Sequence, residues 1–288
     1  MVAEHASQNL HLLLTRRSEF YRMDYEAALK GALADEDALL LERFQDRSME
    51  AAISGSTVAL CFVNLSTGDL VVGNLGDSHA VLADRDPKTN LSYSVVSRLP
   101  FILACATKTN LDQRSLTQSH KPDMPHEKSR VEEAGGEVNH RTGTARVGSL
   151  NMTRSIGDLQ YKNPMNKKDD ALSSSSSSSS SSGSSLPSRT RRASSVSSNP
   201  STRGNFLSNE PYMARFRLAP DRRYALVIES DGISDYLDDT TLMQFVTKLS
   251  SRGHRAGRVA QEVATSTTNR RKSDNGSCIV VLLDGRDS

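Results

Sequence analysis

The sequence predicts an α+β fold, and three observations carry that prediction. Leucines and aromatics recur at helical spacing through residues 1–47. From Gly55 onward, apolar and β-branched runs alternate with turn residues in the manner of hairpin strands. Two further helical stretches, 239–249 and 255–268, then precede a closing apolar run, SCIVVLL.

Each element follows from its residues. Leu10, Leu13 and Leu14 share one face of a first helix, and Tyr25, Leu29, Leu33, Leu40 and Phe44 keep helical spacing in a second. STVALCFVNL (56–65) is a strand, STGD (66–69) a turn, and LVVGNL (70–75) its return partner. HAVLAD (79–84) is a third strand, and LSYSVV (91–96), beyond the loop DRDPKTN, is a fourth. Pro125 suits the first turn of a helix that runs through Val131 to Ala134 and is stopped by Gly135 and Gly136. ARFRLAP (214–220) and YALVIES (224–230) are late strands.

Composition excludes several classes. The 288 residues carry a net charge of +2, with acids and bases nearly balanced, which argues against a nucleic-acid binder. No apolar stretch reaches membrane-spanning length, and the N-terminus has no signal-peptide pattern. Cys61, Cys105 and Cys278 show no CxxC spacing, which points to a reducing compartment and structural thiols. A cytoplasmic or nuclear location is expected.

Two carboxylates stand at the ends of apolar runs. Asp231 follows YALVIES, and Asp274, with Asn275, precedes CIVVLL. Carboxylates held at a sheet rim could share a hard divalent cation. Asp-Gly and Asp-Asn are also ordinary turn formers, and these residues alone leave both readings open.

The order of blocks adds a further signal. GSTVALCFVNL (55–65), GDLVVGNLGDSHAVLADRD (68–86), LTQSHKPDMPHEKSRVEEAGGEV (116–138), RVGSLNMTRSIGDLQYK (146–162), LVIESDGISDYL (226–237) and SDNGSCIVVLL (273–283) together resemble the metal-dependent Ser/Thr protein phosphatases of type 2C. The resemblance implies one phosphatase-like domain over 1–288: an antiparallel β-sandwich flanked by helices. It implies Asp231 and Asp274 as metal ligands for Mg²⁺ or Mn²⁺ in a binuclear site. The nucleophile would be a metal-activated water, with no catalytic side chain, and the substrate-binding residues are not implied. The function implied is hydrolysis of phosphoserine and phosphothreonine on phosphoprotein substrates, with no nucleic-acid or membrane partner. The alternative is a phosphatase-like binding or adaptor protein without activity, or an inactive fragment.

Departures from the family pattern qualify this. A DGHGG motif, with its bridging Asp, is absent, and so are an earlier acidic residue and a phosphate-receiving Arg. VAEHASQNLHLLL resembles the helix that follows DGHGG, so the chain is expected to begin inside the fold, with strand edges left open. Ser119 stands where many members have an Asp tied to a further metal, and a hydroxyl is the poorer ligand, so that extra site is expected to be weak or absent. His79 replaces the usual Arg and is read as structural, as is Asp77. Asp235, Asp238 and Asp239 are read as a solvated loop and a helix start.

Two segments interrupt the blocks. Residues 162–210 include ten consecutive serines (173–182) and have no acid between Ala171 and Asn209, so a disordered excursion is expected there. Within it, Arg191 and Arg192 precede Ser194, a pattern a basophilic kinase would accept and that Arg/Ser-rich sequence also produces by chance. The other segment is 97–114. Its FILACA run is either an extra packed element or sequence foreign to the fold.

Overall fold

The computed structural model describes residues 1–44, 54–85, 93–95, 116–140, 143–166, 204–268 and 274–284. The atypical segment 97–114 and the kinase-type site at Ser194 lie outside these residues.

Helices α1 (Val2–Arg16), α2 (Ser18–Tyr21) and α3 (Tyr25–Phe44) open the chain. The strands β1 (Gly55–Ser56), β2 (Val58–Asn64), β3 (Asp69–Leu75), β4 (His79–Arg85) and β5 (Tyr93–Val95) follow. Then come α4 (Pro125–Glu133), β6 (Val138–Asn139), β7 (Arg146–Val147) and β8 (Ile156–Gly157). The last third holds β9 (Tyr212–Arg217), β10 (Arg223–Glu229), α5 (Asp231–Ser234), α6 (Asp239–Ser251), α7 (Ala256–Thr268) and β11 (Cys278–Leu283).

Two antiparallel sheets carry the fold, one ordered β11–β10–β4–β5 and the other β2–β3–β9. Strand alternation divides their residues between two environments. Leu70 and Val72 of β3 meet Ala80 and Leu82 of β4 and Leu226 of β10 between the sheets. The opposite side of β4 and β10 (Val81, Ala83, Ala225, Val227) packs on Leu242, Met243 and Val246 of α6 and Val259 and Val263 of α7. On the other sheet, Val71 and Leu75 turn outward, under Tyr25, Leu29, Leu33 and Leu40 of α3. The expected sandwich with helices on its outer faces is therefore the observed architecture. Burying each of these large apolar side chains contributes about 1.5–3 kcal/mol.

The face of α1 reaches further than the leucines alone suggest. Val2 and Ala6 are its buried residues, while Leu10, Leu13 and Leu14 are half-buried. Pro125 does occupy the first turn of α4, and Gly135, at φ 84°, turns the chain out of the helix as its N–H bonds Glu132 O at 2.9 Å. Among the described residues, β2 and β11 each have a strand neighbour on one side only.

The 162–210 segment is packed at both ends within the described residues. Lys162 is buried, with Nζ 2.5 Å from Asp37 Oδ2 of α3 and 2.8 Å from Ser155 O. Leu207 is fully buried beside Val131 and Val147. Disorder expected from composition thus cannot apply to 162–166 or 204–210, because a buried ion pair and an apolar anchor hold them. Residues 167–203 lie outside the described part.

Candidate metal centre

The strand register places the two aspartates named from the sequence at one rim. Glu229, the last residue of β10, pairs with Cys278, the first of β11. The ladder continues one step further, with Ser230 N–H donating to Ser277 O at 3.0 Å and Ser277 N–H to Ser230 Oγ at 3.0 Å. Asp231 and Asp274 flank this step, one leaving β10 and the other approaching β11. Close approach here needs glycine, since a Cβ on Gly232 would stand 2.4 Å from Asn275 O.

Each carboxylate makes a turn and keeps an oxygen in reserve. Asp231 Oδ1 accepts from Gly232 N–H at 2.9 Å, and Asp274 Oδ1 accepts from Asn275 N–H at 2.7 Å. Neither Oδ2 takes a hydrogen bond among the described residues. The turn role and the ligand role are compatible in the same side chain.

The neighbouring turn brings a third carboxylate. Glu229 also pairs with His79, the first residue of β4, so the β3–β4 turn lies beside Asp231. Asp77 in that turn is buried, and its Oδ2 has no hydrogen-bond partner among the described residues. Burial raises the pKa of Asp77, and Asp231 raises it further, against the pull of Lys121. The pKa of Asp231 is also raised, first by burial and then by Asp235 and Asp274, with the Gly232 N–H and Lys121 opposing. Carboxylates that repel one another in this way favour a cation between them.

A strap over 116–121 fixes the far wall. Asn74 Nδ2 donates to Gln118 O at 2.7 Å, and Gln118 N–H donates to Asn74 Oδ1 at 3.1 Å. Two residues on, His120 N–H donates to Gly76 O at 3.1 Å, and Gly76 N–H reaches His120 Nδ1 at 3.1 Å. Burial lowers the His120 pKa to about 4, which keeps the ring neutral and able to accept. Ser119 Oγ, buried in the strap, has no partner among the described residues. Glu127 of α4 anchors the strap from behind. Its carboxylate takes 2.7 Å and 2.8 Å bonds from Thr153 Oγ1 and Arg154 Nε. Burial alone would raise the Glu127 pKa, but Arg154 and Thr153 outweigh it and lower it to about 2.

The fit to a hard cation is partial. The donors are oxygens, as Mg²⁺ and Mn²⁺ require, and Asp77 Oδ2 is an orphaned acceptor at the same rim. Among the described residues, however, no three His, Cys, Asp or Glu side chains converge closely enough to hold a metal. Asp231 and Asp274 therefore stand as two carboxylates at one rim, short of a full protein ligand set among the described residues.

Some residues behave as read and others do not. His79 bonds Thr117 through Nδ1 at 3.3 Å, a packing role. Asp238 caps α6, accepting from Thr240 N–H and Thr241 N–H at 3.1 and 3.0 Å. Asp239 is the first residue of α6, as read, and is half-buried there, with burial raising its pKa to about 6. Glu229 went unnoticed in the sequence. It is buried, neither carboxyl oxygen has a partner among the described residues, and burial followed by Asp239 raises its pKa to about 8. The available signal was a lone acid at an inward position, two residues on from Val227, in an otherwise apolar strand.

The sequence model of Protein phosphatase 2C matches residues 1–276. The chain belongs to the protein phosphatase 2C family. Among curated relatives, Protein phosphatase 2C 1 of Paramecium tetraurelia is 32% identical over 158 residues, covering 52% of the chain and 42% of the relative. Probable protein phosphatase 2C 4 of the same organism is 26% identical over 305 residues, covering 99% of the chain and 79% of the relative. The chain thus spans less than half the length of the first of these relatives. A Toxoplasma gondii serine-threonine phosphatase 2C structure superposes with TM-score 0.64 at 16% identity, covering 96% of the chain and 80% of that protein. A C. elegans sex-determining protein gives TM-score 0.65 at 20% identity, covering 98% of the chain and 53% of that protein. These structures share the protein phosphatase 2C fold with the chain. Phosphatases of this family generally use Mg²⁺ or Mn²⁺.

Proposed function

We propose that the chain is the catalytic part of a metal-dependent protein Ser/Thr phosphatase acting on phosphoserine and phosphothreonine in phosphoprotein substrates. The observation that carries this reading is the placement of Asp231 and Asp274 on adjoining strand ends, each with an oxygen to spare. These two carboxylates would hold Mg²⁺ or Mn²⁺. The cation, when bound, supplies an activated water and charge neutralisation for the phosphoryl group. In the overall reaction water forms a new P–O bond, the P–O bond to the substrate oxygen breaks, and that oxygen takes a proton. Gly232 keeps the two ligand-bearing loops in contact, and the His120 strap keeps the Asp77 turn against them.

A second reading, an inactive binding or adaptor protein, is favoured by one observation. Among the described residues the rim lacks a third converging ligand, and Ser119 stands in the wall where a carboxylate would strengthen the site. No helix among the described residues is long and apolar enough to cross a membrane. A cytoplasmic or nuclear location is part of the proposal.

The test is turnover of a phosphothreonine peptide by purified protein with Mn²⁺, with chelator, and with Asp231→Asn. Mn²⁺-dependent turnover lost on substitution supports the phosphatase. Folded protein without turnover supports the adaptor or an inactive fragment.

A further inference from the structure

The turn between α6 and α7 concentrates unspent positive charge. No acidic residue lies between Asp239 and Glu262, while Lys248, Arg252, His254, Arg255 and Arg258 fall within that stretch, in a chain whose charges otherwise nearly balance. All five are exposed. Arg258 bonds Glu262 at 2.5 Å and Gln261 at 3.1 Å. The side chains of Lys248, Arg252, His254 and Arg255 make no hydrogen bond or ion pair among the described residues. Arginines elsewhere are matched to acids: Arg130 and Arg154 meet Glu127, Arg215 and Arg217 meet Asp69, and Arg222 meets Asp84. Backbone bonds fix the turn, with Gly253 N–H donating to Ser250 O at 2.9 Å and His254 N–H to Leu249 O at 3.3 Å. Stability does not explain this arrangement. Lys248 and Arg252 suit the C-terminus of α6, but Arg255 and Arg258 stand at the start of α7, where the helix dipole repels cations.

We propose that this turn is a docking surface for an acidic stretch of the phosphoprotein substrate, one helix length from the Asp231–Asp274 rim. The proposal rests on the phosphatase reading above. Helix α7 is the physical link between the two places. Its far end packs on the rim loop, since a Cβ on Gly276, two residues past Asp274, would stand 3.3 Å from Thr267 Oγ1. Arg255 lies 12 residues before Thr267, and that length of helix rises about 18 Å. An extended peptide covers the same distance in about five to six residues. Acidic side chains some six residues from the phosphorylated one therefore reach the turn while the phosphate lies at the rim. Each contact is exposed and so is weak and screened by salt, but three or four together should tighten binding by about fivefold to tenfold. The cations occupy a single interhelical turn of a chain with net charge +2, which fits a short peptide rather than a membrane surface or a nucleic-acid backbone.

The experiment is fluorescence anisotropy with labelled phosphothreonine peptides that carry four glutamates, four glutamines or four lysines, placed six residues before or six residues after the phosphothreonine. The proteins are wild type, the neutral variant Arg252→Gln/Arg255→Gln and the charge-reversed variant Arg252→Glu/Arg255→Glu, each at low salt and in 1 M NaCl. Turnover of the same peptides is followed with Mn²⁺. Wild type should prefer the glutamate peptide to the glutamine peptide by the stated factor in at least one placement. The preference should vanish in 1 M NaCl and in the neutral variant, and the charge-reversed variant should prefer the lysine peptide. That reversal is a readout that a packing role does not give. The neutral variant should melt no lower than wild type, since it removes a cation from the start of α7. Equal binding of all peptides by wild type, or a glutamate preference that survives in both variants, overturns the proposal. So does a wild type that ignores the peptides but sediments with phosphatidylserine vesicles, which makes the turn a lipid contact. A glutamate preference without Mn²⁺-dependent turnover supports the docking surface and overturns the phosphatase reading for this chain, so the two failures are distinguishable.

Discussion

The Cα of Gly232 faces the carbonyl oxygen of Asn275 so closely that a side-chain methyl would stand 2.4 Å from it. Two segments more than forty residues apart in sequence are pressed together at this point, and each carries one candidate ligand, Asp231 or Asp274. The contact determines their separation more directly than any side-chain bond.

Gly232→Ala should therefore wedge the rim open. Overpacking of this kind costs about 1–3 kcal/mol. The expected outcome is a lower melting temperature together with weakened Mn²⁺ uptake, measured on the same preparation. A variant that loses stability but binds Mn²⁺ as wild type does would show that the contact serves packing alone.

Asp231→Asn and Asp274→Asn should each weaken Mn²⁺ binding by more than the roughly 10–100-fold that loss of a mere supporting group costs. The double variant should be little worse than either single one, because the two act as a unit. Metal-free stability should not fall in Asp231→Asn, since burial and two neighbouring acids already oppose its charge. Thermal melts in chelator check the last point.

The Glu229 pKa is raised from 4.5 to about 8 by burial and by Asp239. A folded-state pKa above the unfolded value means that folding takes up a proton. The resulting stability is complete below the unfolded pKa and declines as pH rises to about 8, by about 1 kcal/mol per pH unit. Asp239, raised to about 6, adds to the same slope in the lower part of the window. Glu229→Gln should flatten the fall of metal-free stability between pH 5 and pH 8, as read by urea unfolding at each pH. A parallel pH profile in the variant would refute the buried-proton account.

Glu127→Ala should be the most damaging of these changes. It strands Arg154, Arg130 and Thr153 around a buried site, and breaking such an arrangement costs about 3–5 kcal/mol. Because the network backs the strap, His120 should lose its protection as well. Hydrogen exchange at the Gly76 and Thr153 amides, bonded to His120 Nδ1 and His120 O respectively, would report it.

Local pattern carried much of this protein. Alternation in LVVGNL and YALVIE placed β3 and β10, Pro125 and Gly135 bounded α4, and the block order with ESDG and SDN singled out Asp231 and Asp274. Period, capping and turn chemistry are properties of neighbouring residues, so they are legible in the chain. Glu229 and Lys162 were not legible, since what matters about each is a partner or an absence of water set by residues far along the sequence. Lys162 borders a polar stretch, and the partner that holds it, Asp37, lies 125 residues away. Glu229 ends β10, paired with Cys278 of β11 and His79 of β4, and is buried there. The sequence by itself determined the main helices and strands, the family resemblance and the two candidate carboxylates, Asp231 and Asp274. Only the tertiary structure decided which charges are dry, which are paired and which face one another, because desolvation and Coulomb energy depend on distances that sheet pairing and helix packing create.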